Sequence, residues 1–150
     1  MPTISDWEKI FIRDQRLAHL ATVDSNGQPH AVPIVYSFDG QRIFTPVDEK
    51  PKKVGAYQLQ RVRNIQENSR VAVIIDEYSE DWDQLAWVQI RGEAKIVTTG
   101  QLYESGVQLL SSKYPQYQEM PLAGRQWRFR GSSETKTKKQ IQFSKIYALP

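Results

Sequence analysis

Two turn signals, Ser25-Asn26-Gly27 and Asp39-Gly40, cut the first third of this chain into short extended segments with room for little but hairpins. Asn-Gly and Asp-Gly pairs supply the positive backbone angles that tight hairpin loops require. Residues 17–23, 29–38 and 42–46 therefore read as three antiparallel strands in a row, a meander. The third strand leads into Thr45-Pro46-Val47-Asp48-Glu49-Lys50-Pro51-Lys52-Lys53, which places three lysines within four residues. Pro51 suits the first turn of a helix running to about residue 67, with Val54, Leu59, Val62 and Ile65 on its inner face. A lysine cluster where a strand turns into a helix suits a phosphate. The ammonium groups bring charge, and the amides of the first helical turn bring donors with no partner of their own. The pattern points to a phosphorylated small ligand rather than a polymer.

The rest of the chain repeats the same grammar. Residues 3–15 read as a short amphipathic helix capped by Ser5 or Asp6, with Trp7, Ile10 and Phe11 at helical spacing. Val71-Ala72-Val73-Ile74-Ile75 is a continuous β-rich run, which predicts a strand buried on both faces. An acidic loop over 76–83 separates it from a longer strand over 85–97, where Gly92 marks a bulge or a close approach of backbone. Thr98 or Thr99 is placed to cap a helix over 101–113. Residues 114–139 read as a long loop and 140–149 as a last strand. Six mainly sequential antiparallel strands with two or three helices predict a mainly β fold, a small barrel decorated with helices, in one domain spanning 1–150.

Charge is distributed more informatively than its net value of +3. Residues 42–70 carry seven basic and three acidic side chains, residues 76–83 carry five acidic and no basic ones, and residues 125–139 carry six basic and one acidic. Separate patches suit an anionic small ligand or a self-complementary interface, and argue against nucleic acid, which needs a continuous basic stripe. The chain has no cysteine, so disulfides, thiolate metal sites and cysteine nucleophiles are excluded. No His/Asp/Glu cluster has metal spacing, and there is no P-loop, Gly-x-Gly-x-x-Gly fingerprint or nucleophile elbow. Asp6 and Glu8 interrupt the N-terminus before an apolar run forms, and no stretch is long enough to span a bilayer. A cytoplasmic protein with no membrane contact is expected.

The blocks RLAHLATVDSNGQPHAVPIVYSFDGQRIFTPVDEKPKK, RVRNIQENSRVAVIID, EDW and WVQIRGEAKIV occur in that order over residues 16–97. In sequence and spacing they resemble the pyridoxamine 5′-phosphate oxidase-like split β-barrel family, and within it the coenzyme F420-dependent (deazaflavin) branch; the likeness covers roughly residues 7–113. The resemblance implies a six-stranded antiparallel split β-barrel that forms a homodimer, with FMN or coenzyme F420 in each of two clefts at the dimer interface. It implies that basic residues matching Thr45 to Lys53 hold the cofactor phosphate and that the ring lies along the strand matching His30 to Val35. It also implies that the segment Trp87 to Arg91 crosses to the partner subunit's cofactor, with Gln89 or Arg91 in contact.

Each candidate has a plainer reading beside the functional one. Lys50, Lys52 and Lys53 fit a phosphate, or form a solvated run; positive charge at a helix start opposes the macrodipole, which favours a bound anion. Arg61 lies two helical turns beyond Lys53 and, with Arg63, is a further phosphate candidate. Thr45 offers a hydroxyl to a phosphate or ring oxygen, or is an ordinary strand threonine. Val32, Pro33 and Ile34 offer strand backbone to the ring, or simply core packing. His30 is a weak catalytic candidate against a hydrogen-bonding strand histidine, and His19 reads as structural. Trp82 and Trp87 stack on a ring, fill a dimer seam or pack in the core. Arg125, Trp127, Arg128 and Arg130 suit an acidic cofactor tail, or form a solvated loop.

The expected activity is that of a flavin- or deazaflavin-dependent oxidoreductase moving a hydride between the cofactor ring and a small-molecule substrate. The alternatives are an FMN-dependent oxidase of the same class and a non-catalytic flavin- or haem-binding barrel.

Overall fold

The computed structural model describes residues 4–47, 59–119, 139–143 and 147–149. Helix α1 (Asp6–Asp14) opens on a capping box: the Glu8 amide donates to Ser5 Oγ at 3.2 Å and the Ser5 amide donates to Glu8 Oε2 at 2.7 Å. Strands β1 (Ala18–Val23) and β2 (Pro29–Ile34) form the first hairpin. At its turn Asp24 Oδ1 accepts from the amides of Asn26 (2.8 Å) and Gln28 (2.9 Å), and Gly27 supplies a φ of +83°. Strands β3 (Ser37–Phe38) and β4 (Ile43–Val47) form the second, closed in the same way by Asp39 Oδ1 and by Gly40 at φ +99°. There follow α2 (Gln60–Glu67), β5 (Arg70–Glu77), a 3₁₀ turn over Trp82–Gln84, β6 (Ala86–Val97), α3 (Gln101–Lys113), α4 (Gln116–Glu119), β7 (Lys139–Phe143) and β8 (Tyr147–Leu149).

The strands pair in the order β2-β1-β5-β6-β7-β4-β3, with β8 also on β6, and every pairing is antiparallel. The three expected strands are therefore not a meander. The extended segment 29–38 breaks after Ile34, and its halves lie at opposite ends of the ladder, joined by Val35 and Tyr36 alone. A sheet whose two end strands are two residues apart in sequence must roll back on itself. Among the described residues no ladder joins β2 to β3, so the barrel stays split there. The last segment also breaks: pairing advances from Ala94 to Arg91 along β6 while the opposing chain advances from Phe143 to Tyr147. Among the described residues the six expected strands are eight, because two of them break.

Phe11, Ile12, Leu20, Ile34, Tyr36, Ile43, Val62, Ile65, Val73, Ile75, Val88 and Ile90 belong to the main core inside the roll. Phe44, Leu110 and Tyr114 form a second cluster where α3 covers the other face of β4. Strand β4 is buried along its whole length. The expectation of a strand buried on both faces had been attached to β5, and there the structure corrects it. Val71, Val73 and Ile75 are buried, whereas Ala72 is half-buried and Ile74 is 39% exposed, because no described element covers that face. Helix α3 has the expected bounds, but its N-cap is Gly100 at φ +95° with no side-chain cap, not Thr98 or Thr99. The expected helix over 51–67 is described only from Gln60, and Pro51 and Val54 lie outside the described residues. Among the described residues no helix is long and apolar enough to cross a membrane.

Tyr36 secures the break in the strand. It is fully buried, and its phenol donates to the carbonyl of Ile12, which lies in the last turn of α1 beyond the reach of a further helical amide. Tyr36→Phe deletes that donor and leaves a buried carbonyl without a partner. The expected loss is about 1–3 kcal/mol of unfolding free energy, read by urea denaturation, with the midpoint falling and the slope unchanged. An unchanged midpoint would show that the bond contributes nothing.

Candidate functional site

Strand alternation sorts the candidate residues onto two faces of the sheet. Register pairs Pro33 with His19, His19 with Ile74 and Ile74 with Gln89, so these four make one row across β2, β1, β5 and β6. The neighbouring row is Ala31, Ala21, Ala72 and Arg91. Trp87 stands opposite Asp76 at the end of the same face. This outer face is floored by alanines and is only partly water-shielded: Pro33, Ala31, His19, Ile74, Trp87 and Arg91 are all exposed, and Trp87 has 52% of its surface free. An exposed indole near an exposed isoleucine gives this sheet face an apolar patch.

Beyond Trp87 the face continues into the acidic β5–β6 connection. Asp81 caps the 3₁₀ turn through its own carboxylate, accepting from the Asp83 amide at 3.2 Å, and this turn holds Trp82 with 74% of its surface free. Ile74, Asp76, Tyr78, Leu85 and Trp87 line a shallow cavity of about 240 Å³ here. Trp82 and Trp87 are therefore surface aromatics, and core packing does not describe either.

Val32 and Ile34 point the other way. Ile34 is buried in the main core and Val32 packs against it. What they can offer a ligand is backbone. Strand β2 is an end of the ladder among the described residues, so alternate N–H and C=O groups along its free edge have no strand partner. Pro33 contributes a carbonyl only. Thr45 lies on β4 and is 1% exposed, and its hydroxyl donates to the carbonyl of Val35 at 2.8 Å. That bond commits its proton but brings Thr45 to the end of β2, beside Ile34. The structure thus assembles Val32, Pro33, Ile34 and Thr45 at one side of the barrel. Trp87, Gln89 and Arg91 stand three strand spacings away, about 14 Å.

His30 faces inward and is half-buried, opposite Thr22 on β1. Thr22 Oγ1 accepts from Asn64 Nδ2 at 2.9 Å, Asn64 Oδ1 accepts from Gln60 Nε2 at 2.7 Å, and Gln60 Oε1 accepts from Arg63 Nη2 at 2.7 Å. Arg63 is thus tied to a polar chain running into the barrel, although it is itself exposed. His30 Nδ1 is buried next to that chain, without a hydrogen-bond partner among the described residues. His19, read as structural, is instead the imidazole on the open face. The pattern Ala18-His19-Leu20 carried the signal: both neighbours are apolar and buried, and period-two alternation turns the residue between them outward. Lys50, Lys52 and Lys53, like Arg125, Trp127, Arg128 and Arg130, lie outside the described residues.

The donor set fits a flat, anionic, heterocyclic cofactor. A strand edge offers fixed donors and acceptors, Arg91 offers charge, Trp87 offers a π-face, and the alanine floor admits a flat surface. A single protomer, however, keeps the strand edge and the Trp87–Arg91 group too far apart to grip one ring system together.

The sequence model of the pyridoxamine 5′-phosphate oxidase family matches residues 7–133. A reductase of Streptomyces rimosus that acts on 5a,11a-dehydrotetracycline and 5a,11a-dehydrooxytetracycline is 31% identical over 94 residues, a match spanning 62% of this chain and 63% of that enzyme. The match thus leaves more than a third of the reductase's length uncovered. Among solved structures, a conserved hypothetical protein of Mycobacterium tuberculosis superposes with a TM-score of 0.68 at 19% identity, covering 99% of this chain and 86% of that one. HutZ, the heme storage protein of Vibrio cholerae, superposes with a TM-score of 0.66 at 13% identity, covering 99% of this chain and 92% of that one. These two structures share its fold. The rolled, split sheet agrees with that fold, and the family match spans most of the chain: this protein belongs to the pyridoxamine 5′-phosphate oxidase family.

Proposed function

We propose that the protein is a homodimeric, cytoplasmic oxidoreductase that binds FMN or coenzyme F420 between two outer sheet faces and reduces a small organic substrate. The observation that carries the reading is the separation of about 14 Å between the β2 edge and the Gln89–Arg91 group on one exposed face. Residues that suit one ring yet lie too far apart in one chain are brought together by a two-fold axis, with β2 from one subunit and β6 from the other. Family membership supports flavin-related redox chemistry, and the similarity to the Streptomyces reductase supports the reducing direction.

When bound, the cofactor supplies the hydride chemistry; the chain's own residues bind and orient it. The β2 edge from Val32 to Ile34 fixes ring heteroatoms through backbone groups, with Thr45 bracing that edge through Val35. Lys50, Lys52 and Lys53, three to six residues after Val47 in sequence, supply the positive charge to neutralise the cofactor phosphate. Trp87, Gln89 and Arg91 close over the ring from the partner side and exclude water. The 125–139 segment, rich in arginine and lysine, suits an anionic tail beyond the phosphate, which coenzyme F420 carries and FMN lacks.

The deciding experiment measures affinity for FMN and coenzyme F420 side by side by ring fluorescence, then follows oxidation of the reduced cofactor with unsaturated substrates. The fold likeness to a heme storage protein frames the competing outcome, binding without turnover. His19 is then the outer-face imidazole to test, by a Soret titration of His19→Ala. Tight haem binding with no affinity for either flavin would replace the present reading.

Two further outcomes are expected. The protein sediments as a dimer at micromolar concentration. Ile74→Asp, which puts a charge on an exposed position of one protomer, yields a folded monomer with unchanged far-ultraviolet circular dichroism and no cofactor binding. A stable wild-type monomer would remove the interface site. Alanine at the best-placed of Lys50, Lys52 and Lys53 removes charge-assisted bonds of roughly 1.5–3 kcal/mol, which is about a tenfold to hundredfold loss of cofactor affinity. If all three variants bind as the parent does, the phosphate lies elsewhere and Arg61 and Arg63 are next in line.

A further inference from the structure

A lysine amine is buried at the break in the barrel with no acceptor for its protons among the described residues. Lys113 ends α3, and its Nζ lies 3.9 Å from the ring centroid of Tyr36 and 5.5 Å from that of Tyr114. The Nζ atom is buried and has no hydrogen-bond partner among the described residues. The surrounding bonds run straight into the seam. The Tyr36 amide donates to Tyr114 Oη at 3.1 Å, the Tyr114 hydroxyl donates to the Arg16 carbonyl at 2.9 Å, and Arg16 Nη2 donates to the Lys113 carbonyl at 2.9 Å. The Arg16 guanidinium also lies 4.6 Å from the Tyr114 ring centroid. One short cluster thus ties the end of α3, the segment after α1 and the Val35–Tyr36 joint.

We propose that Lys113 is a proton-operated latch on the split of the barrel: gain of a proton drives the last turn of α3 away from Tyr36, and loss of the proton lets it close. The proposal stands independently of the cofactor reading. The groups facing the amine from each packed element are Asp14 and Arg16 on the α1 side, Tyr36 at the joint and Tyr114 on its own helix. An ammonium in this pocket meets the two ring faces, and among the described residues no hydrogen-bond acceptor replaces its hydration. Burial and the nearby Arg16 charge outweigh the attraction of Asp14, and hold the amine down to about 8 from its ordinary 10.5.

The sign follows from linkage. With the latch open, Lys113 in water keeps its proton to about pH 10; closed, it releases it near 8. The closed form binds fewer protons between those values, so closure strengthens as pH rises through that window and is weakest below it. Burial pushes the Tyr36 phenol the opposite way, above its ordinary 10.0, so ionisation of tyrosine opposes closure only at the upper end. Tyr114 is likewise raised by burial, against a lowering by the Tyr36 amide and Arg16.

The test is amide hydrogen exchange of the whole protein at Tyr36 and Tyr114, expressed as protection factors corrected for intrinsic rate. Between pH 7 and pH 9 wild-type protection at these two amides should rise by up to about tenfold. Lys113→Met should be flat across that range and at least as protected as the wild type at pH 9. Lys113→Arg, which keeps its charge, should be flat and poorly protected. A flat wild-type profile, or a Lys113→Met profile that rises in parallel with the wild type, overturns the latch. Should neither variant fold, nitrogen-15 titration of Lys113 Nζ in the wild type decides: a midpoint near 8 supports the proposal and one at 10 or above refutes it.

Discussion

The architecture depends on one interruption in a strand. Val35 and Tyr36 separate two halves of what begins as a single extended segment, and the hydrogen bonds at the break come from different directions. Thr45 donates to the Val35 carbonyl, the Tyr36 amide donates to Tyr114, and the Tyr36 phenol donates to Ile12. Backbone polar groups inside a core must find partners, and a broken strand cannot find them in a ladder. Here β4, α3 and α1 supply one partner each. This is why the sheet can leave β2 and carry on as β3 at its far end.

That interruption also makes the functional surface. Because the roll does not close across β2 and β3, β2 keeps a free edge, and the face it shares with β1, β5 and β6 faces outward. Apolar side chains on both faces of β5 reflect two different demands. Val71, Val73 and Ile75 fill the roll, while Ile74 sits on a surface with Trp87 that no described element of this chain covers. The inner demand is met by the chain's own packing; the outer one is what the proposed second subunit and cofactor would meet.

The polar chain beneath α2 serves a different purpose. Thr22, Asn64, Gln60 and Arg63 relay hydrogen bonds from the buried inner face of β1 to the surface. Asn64 is 1% exposed, and in such a place an amide is tolerated only with both ends satisfied. It anchors α2 over one end of the roll.

Local chemistry made much of this legible. Ser5 before Glu8, Asp24 and Asp39 before their glycines, and the helical spacing of residues 101–113 each state a short-range structure. Capping, turn geometry and helical periodicity are decided within a few residues. The outward turn of His19 was equally readable from its two apolar neighbours. Other features were not, because they depend on residues far apart. Nothing local distinguishes a strand covered by its own chain from one left open, so double burial fell to β5 in the reading and to β4 in the fold. Nor does anything near Val35 announce a break, since the partners that make it affordable, Ile12, Thr45 and Tyr114, lie 10 to 78 residues away along the chain. By itself the sequence determined the segments, their turns and the family. Tertiary structure alone decided which faces meet, because a face is buried or exposed only relative to what the rest of the chain places against it.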